Sequence, residues 1–510
     1  RIALGDGAPT VTSRATVDGH LVSGRSSDGS IRLVVTTAAA QRLGFVSPTG
    51  GDAASVQTAI DTNRQKLADS TLDDWLPRWT SPTGSAGPLV DCASMFHPAT
   101  WSGASTVSVL TLSDDLADLH PVGVFGGGDT IYASTTGLYV ATQVQPATLN
   151  DHGMPIEQDT LPAEHASIHR FDTSVAGATT YQGSGEVPGH VLNQFAMSED
   201  HGDLRVATTV DGCCGRVVPM PMPADCPNCG ATASSSGDPA GGDASVSAPA
   251  SDATAPANRS LLTVLRLEGG QLRQVGQLDG LGPNEQIQSV RFVGDRAYVV
   301  TFRRMDPLFV IDLADPTHPR LLGELHEPGF SAYLHPIGAD RMLGVGSSGT
   351  DAGMLTGAKV ALYDTSDPTH PRVVATIPIQ DGASSAGDDS HAFTWDAAHH
   401  LAFIPLTLEA GFDAQGVYQP VQGVAVYRVT DDAITWVGWI DHSKHASAAG
   451  GWSAPPCPPN AVCARPAIAV APSPVDRTAV VGDRIFAGSA AGLSQVALDG
   501  FAETGWVGWS

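Results

Sequence analysis

The sequence predicts an all-β propeller of seven or eight four-stranded blades with a small helical insertion. Three observations carry that expectation. An apolar run ending in Asp, the turn DPTHPR and a second apolar run occur twice, the turn starting at Asp315 and again 52 residues later at Asp367. A repeat of about 40–55 residues containing only strand-like pieces is the spacing of propeller blades. VGDR, a tight turn feeding an apolar strand, stands at Val293 to Arg296 and returns at Val481 to Arg484. Composition agrees, because 56 Gly, 36 Pro and only 16% charged residues in 510 suit a turn-rich chain of strands better than a helical one.

Residues 1–18 read as the second half of a blade, which suggests a leader and further blade material upstream of Arg1. The first full unit uses 32–36 and 106–112, separated by a partly helical insertion at 50–90. There, 53–68 has helical character, and Ser70-Thr-Leu-Asp73 has capping-box spacing for a second short helix. The second unit runs over 129–189. The third begins at Leu192 and is broken by 211–258, a Cys-containing low-complexity loop with too little apolar content to order itself. Units four to six continue to Asp441, a Cys-containing Pro-rich loop fills 442–474, and the last unit starts at Arg477. The whole of 1–510 reads as a single propeller domain. In DPTHPR, Asp opens the turn and Pro presets the next position, so two outer strands are joined tightly.

The formal charge is −26, from 53 acidic and 27 basic residues, with no basic cluster that could track phosphates. Nucleic acid and anionic membrane surfaces are thereby excluded as expected partners. No apolar run approaches the ~18 residues of a membrane span. Seven cysteines are present. Cys457 and Cys463 flank a short Pro-rich ring, and a local disulfide there is worth about 2 kcal/mol. Cys213, Cys214, Cys226 and Cys229 form a second cluster, for which disulfides are preferred over a zinc site because adjacent cysteines are awkward ligands. Cys92 is left to pair with whichever thiol remains. Paired cysteines point to an oxidising setting, secreted or at the cell surface.

The stretches QSVRFVGDRAYVVTFRRMDPLFVIDLADPTHPRLLGELHEPGFSAYLHPIG, GSGEVPGHVLNQFAMSEDHGDLRVATT, STLDDWLP and KVALYDTSDPTHPR carry a resemblance. The chain resembles bacterial secreted proteins with a C-terminal β-propeller distantly related to WD repeats. That resemblance implies an exported propeller and brings no established activity with it. The chain differs from the expected pattern in lacking most N-terminal blade material and in its cysteine-bearing insertion.

Propellers line a central channel with the first strand of each blade, and ligands sit at its mouth. Polar residues on those strands are therefore the candidates for binding: Asn193, Gln194, Gln288, Arg291, Tyr333, His335 and His391. Buried polar groups need partners, whether each other, water or a ligand. The leading expectation is a non-catalytic binding or scaffold module for an extracellular protein, glycan or polymer, with an upstream fragment or another chain as a further partner completing the ring. The alternative is an enzyme or metal-binding protein at the channel mouth. Arg291 and His335 would then grip an anionic or carbonyl group, and His391 would act as base. His335 and His391 are the candidate metal ligands, for calcium or a transition metal.

Overall fold

The strand Arg296–Phe302 is almost wholly apolar, and burial explains why: Ala297, Tyr298, Val299 and Val300 are all at most 2% exposed. Such strands are covered on both faces, so they read as continuous apolar runs rather than as alternating ones. The structure, a computed structural model, describes residues 1–3, 10–27, 29–38, 42–50, 52–98, 100–113, 116, 118–144, 164–211, 258–303, 306–408, 421–445 and 474–509.

Seven antiparallel blades follow one another along the chain. Blade 1 comprises His20–Ser27, Ser30–Ala38, Ser105–Thr111 and Pro121–Phe125. Blade 2 comprises Thr130–Ala133, Gly137–Val144, His165–Asp172 and Thr180–Pro188. In blade 3 the inner strand is split into His190–Val191 and Met197–Asp200, and Asp203–Val210, Arg259–Glu268 and Gln271–Leu281 follow. Blades 4 and 5 are regular: Gln286–Val293, Arg296–Phe302, Asp306–Asp312 and Arg320–Glu327, then Phe330–Pro336, Arg341–Gly349, Leu355–Asp364 and Arg372–Gln380. Blade 6 splits its inner strand into Gly382–Ala383 and Thr394–Asp396 before Leu401–Leu408, Val421–Val429 and Ile434–Asp441. Blade 7 is Val475–Val481, Arg484–Ser489, Gly492–Ala497 and Glu503–Gly508.

Apolar clusters lie between successive blades. Tyr298, Val300, Leu308 and Val310 of blade 4 meet Leu334, Met342, Ala361 and Tyr363 of blade 5. Across that interface Lys359 pairs with Glu327 at 2.7 Å, the two side chains 1% and 10% exposed. Glu327 also accepts the Tyr363 hydroxyl. The DPTHPR turns do more than reverse the chain. Asp315 accepts the amide and hydroxyl of Thr317 and pairs with His318, and Asp367, Thr369 and His370 repeat the arrangement. Each turn then rests on the outer strand of the preceding blade at a glycine. A Cβ on Gly276 would stand 2.2 Å from the Pro316 carbonyl, and one on Gly323 would stand 2.6 Å from that of Thr369. Only a residue without a side chain lets the backbones approach so closely.

The expected N-terminal half-blade is replaced by other pairings. Ile2–Ala3 pairs only with Thr10–Val11, and Thr16–Val17 joins Arg78–Thr80 and Ala86–Pro88 in a small separate sheet. The insertion carries helix α1 (Ala53–Asp69), capped by Asp52, and the single turn α2 (Leu72–Trp75). The capping box of α2 is Thr71 with Asp74, one residue later than the spacing from Ser70 suggests. Leu89, Val90 and Trp79 of this region cover Val35 and Leu110 on the face of blade 1 away from blade 2. Leu21 and Ile31 on that face of blade 1, and Val481 and Val507 on the face of blade 7 away from blade 6, remain 48–62% exposed. Among the described residues no helix is long and apolar enough to cross a membrane. Cys213, Cys214, Cys226, Cys229, Cys457 and Cys463 lie outside the described residues, and with them the expected disulfides. Cys92 is exposed and has no disulfide partner among the described residues.

Candidate functional site

Side chains from all seven blades converge on the channel. A cavity of about 710 Å³ is lined by Arg25 of blade 1, Tyr132 of blade 2, Gln194 and Phe195 of blade 3, Arg291 of blade 4, Tyr333 of blade 5, His391 and Phe393 of blade 6 and Arg477 of blade 7. A second lobe of about 380 Å³ shares Arg25, Gln194, Phe195, Tyr333 and His391 with it. This lobe lies at the starts of the inner strands and carries Asp129, Asp388 and Asp389. The larger lobe lies further along them and has three arginines and no carboxylate in its lining.

The breaks in blades 3 and 6 supply much of this lining. In blade 3 the side chain of Asn193 accepts the Phe195 amide at 2.9 Å and caps the 3-10 turn Gln194–Ala196. That turn aims Gln194 at Arg25, whose guanidinium donates to it at 2.8 Å. In blade 6, Asp389 accepts the amide of His391 and caps the turn Ser390–Ala392. The same carboxylate pairs with the His391 ring at 3.0 Å and with Arg477 at 2.5 Å. Burial pushes the Asp389 carboxyl up, but the hydrogen bonds from Arg477 and His391 reverse this and hold it below the ordinary carboxylate range.

The three arginines differ. Arg477 is paired. Arg25 donates only to neutral acceptors, namely Ser23 Oγ, Gly24 O, Ile131 O and Gln194 Oε1. Burial pulls its pKa below the usual arginine value, although a guanidinium stays charged at neutral pH. Arg291 lies over the Phe195 ring at 4.9 Å from its centre, and among the described residues no carboxylate pairs with it. Phe195, Tyr333 and Phe393 form an aromatic wall, with Tyr333 5.7 and 5.3 Å from the other two ring centres. Behind it, His335 Nδ1 meets the Tyr333 hydroxyl at 3.2 Å, and its ring lies tilted against Phe393 with centres 4.9 Å apart. Burial, helped by the Arg291 charge, lowers the His335 pKa to about 4, so the ring is neutral at pH 7.

Of the seven residues singled out from sequence, Asn193, Gln194, Arg291, Tyr333 and His391 line the two lobes. Gln288 lines neither and turns back to the Gln286 carbonyl, while His335 is held behind Tyr333. Nothing in the sequence points to Arg25, Phe195 or Arg477 as site residues, and Asp388-Asp389 reads there as an acidic pair that could hold calcium but fits solvated surface better. His335 and His391 do not form a ligand cluster. His335 faces the Arg291 cation and His391 is committed to Asp389. Among the described residues, the group of His and carboxylates that does converge is Glu164, His190 and Asp211, on blades 2 and 3.

A ring of radially repeated four-stranded sheets around a lined channel defines the class of protein: a β-propeller. The chain matches the family described as "Beta propeller domain" over residues 4–499, and it belongs to that family. It is also similar to an uncharacterised protein of Methanocaldococcus jannaschii, 36% identical over 222 residues that make up 44% of this chain and 28% of the relative. A second uncharacterised protein, from Archaeoglobus fulgidus, is 34% identical over 224 residues, with the same shares of 44% and 28%. The matched part thus spans little more than a quarter of either relative. Both relatives are archaeal, whereas the resemblance noted in the sequence was to bacterial proteins.

Proposed function

We propose that this propeller is a non-catalytic binding module whose channel takes an anionic group carried on an apolar or aromatic body. One observation carries this reading: in a chain of net charge −26, the larger lobe is lined by three arginines and no acid, and two of those arginines lack a carboxylate partner among the described residues. Burying a cation without an opposite charge is costly, so such a lobe favours a ligand that brings the missing charge. Arginine's planar fork suits carboxylate, sulfate or phosphate groups, and the Phe195–Tyr333–Phe393 wall suits the body behind them. On this reading the natural partner is an acidic glycan, polymer or protein segment presenting such a group. The setting we propose is the cell exterior, resting on the Cys457–Cys463 spacing, for which mass measurement before and after reduction is the check.

Calorimetric titration with phenyl phosphate, inorganic phosphate and neutral benzyl alcohol tests the site. Phenyl phosphate is expected to bind best, and benzyl alcohol not at all. In the double variant Arg25→Gln/Arg291→Gln, each lost charge-assisted hydrogen bond weakens binding by about 10- to 100-fold. Equal binding of the neutral probe, no binding of either phosphate, or an unchanged affinity in the double variant would refute the reading.

A further inference from the structure

A second constellation lies where blades 2 and 3 meet, apart from the arginine lobe. Glu164 stands immediately before the blade 2 strand His165–Asp172, His190 opens the inner strand of blade 3, and Asp211 directly follows Asp203–Val210. Main-chain bonds set their positions. The Gly189 amide donates to the Glu164 carbonyl at 2.9 Å, and His190 is in register with Thr209, two residues before Asp211. Gly189 has φ +78°, and a Cβ there would stand 2.1 Å from the Thr209 carbonyl, so the approach of these strands depends on glycine.

The donor atoms converge. His190 Nδ1 lies 3.5 Å from Glu164 Oε1 and 3.9 Å from Asp211 Oδ2, and all three ligand atoms fall within 4.8 Å of one another. Good charge-assisted hydrogen bonds between such groups are nearer 2.7–2.9 Å, roughly. A tetrahedral ion with bonds of about 2.0–2.2 Å instead sets its ligand atoms about 3.4 Å apart, close to what is found. Each carboxylate also accepts a side-chain amide, Glu164 at the same oxygen that faces His190 and Asp211 at the opposite one. The Gln143 amide donates to Glu164 Oε1, and Gln286 Nε2 donates to Asp211 Oδ1 at 3.0 Å, leaving Oδ2 directed at His190. Outer partners of this sort orient the ligands of metal sites. A cavity of about 180 Å³, lined by Gln143 and by Val191 next to His190, adjoins the group. It also touches Asp129 and Thr130 of the acidic channel lobe, which gives room for water ligands and a route of entry.

We propose that Glu164, His190 and Asp211 bind one divalent transition-metal ion, of which zinc fits best, with water completing the coordination. One imidazole and two carboxylates form a neutral site with a divalent cation, and their mixed nitrogen and oxygen donors suit zinc better than calcium. The bound ion fastens the start of a blade 2 strand to both ends of the inner hairpin of blade 3.

Cobalt(II) is the probe, added to the full chain after treatment with a chelator. The expected result is one equivalent bound with visible d–d absorption and without the near-ultraviolet band of a thiolate ligand, which separates this site from the cysteines. His190→Ala should bind that equivalent at least 100-fold more weakly, and so should the isosteric Glu164→Gln, which guards against a variant that fails to fold. Gln143→Ala should weaken it by about 10- to 100-fold. Thermal stability should rise with cobalt in the native chain and not in His190→Ala. Absence of a bound equivalent, a thiolate spectrum, or retention of the ion by both folded variants would overturn the proposal. In those cases the three groups are an ion pair and nothing more.

Discussion

Blades 4 and 5 and blades 3 and 6 spend the same four strands differently. In the first pair the inner strands, Gln286–Val293 and Phe330–Pro336, run without a break. Their chemistry is directed sideways, into the Lys359–Glu327–Tyr363 network between blades and into turns that rest on Gly276 and Gly323. In the second pair the inner strands are cut by 3-10 turns at Gln194–Ala196 and at Ser385–Gly387 and Ser390–Ala392. Those cuts turn Gln194, Phe195, Asp389 and His391 toward the channel. The regular blades hold the ring and give the channel single residues, Arg291 and Tyr333, whereas the interrupted blades give it neighbouring ones. An extended strand can offer only alternate side chains to the channel, whereas a turn offers neighbouring ones.

If this division holds, damage to the network between the regular blades, away from Arg291 and Tyr333, should lower stability and leave binding intact. The largest effect is expected from Lys359→Met, which leaves Glu327 buried without its cation and should cost about 3–5 kcal/mol in denaturant unfolding, with the affinity of the surviving folded protein for phenyl phosphate unchanged. Next comes acid. His169 is fully buried and His335 half-buried, and burial holds both near a pKa of about 4. The unfolded chain takes up these protons near the ordinary histidine value and the folded chain does not. Stability is therefore complete above about pH 6.5 and falls as the pH drops toward 4, by on the order of 3 kcal/mol for His169. Unfolding curves at pH 7 and 5 check this, and His169→Phe should flatten the difference. The smallest effect on stability is expected from Asn193→Ala, which removes the cap of the blade 3 turn at a cost of about 1 kcal/mol. It should nevertheless weaken phenyl phosphate binding, because Gln194 and Phe195 lose their placement.

The same division explains what could be read in the sequence. The DPTHPR turns and the apolar second strands are local features with fixed spacing, so the fold was legible from Asp315, Asp367 and their flanks. Arg291 and Tyr333 were legible too, as polar residues at matching places in regular strands. Arg25 was not, because its strand, His20–Ser27, has no apolar alternation and its register is set by pairing with Ser30–Ala38. Asp389 and Arg477 belong to adjacent blades, 88 residues apart in the chain, and only the packing of blade 7 on blade 6 brings them together. The Asn193 and Asp389 caps are written in the sequence as acceptors two residues before a capped amide, a pattern that could have marked both breaks. Glu164, His190 and Asp211 left no such trace, since their spacing fits no linear metal motif and their meeting depends on strand register.

The most direct test of the central claim is to measure phenyl phosphate affinity and unfolding stability together on Arg25→Gln/Arg291→Gln. The account predicts a loss of affinity of at least 100-fold with stability equal to or above that of the parent chain, because two cations lacking carboxylate partners have been removed. Parental affinity in a less stable protein would contradict it, and would make these arginines props of the ring.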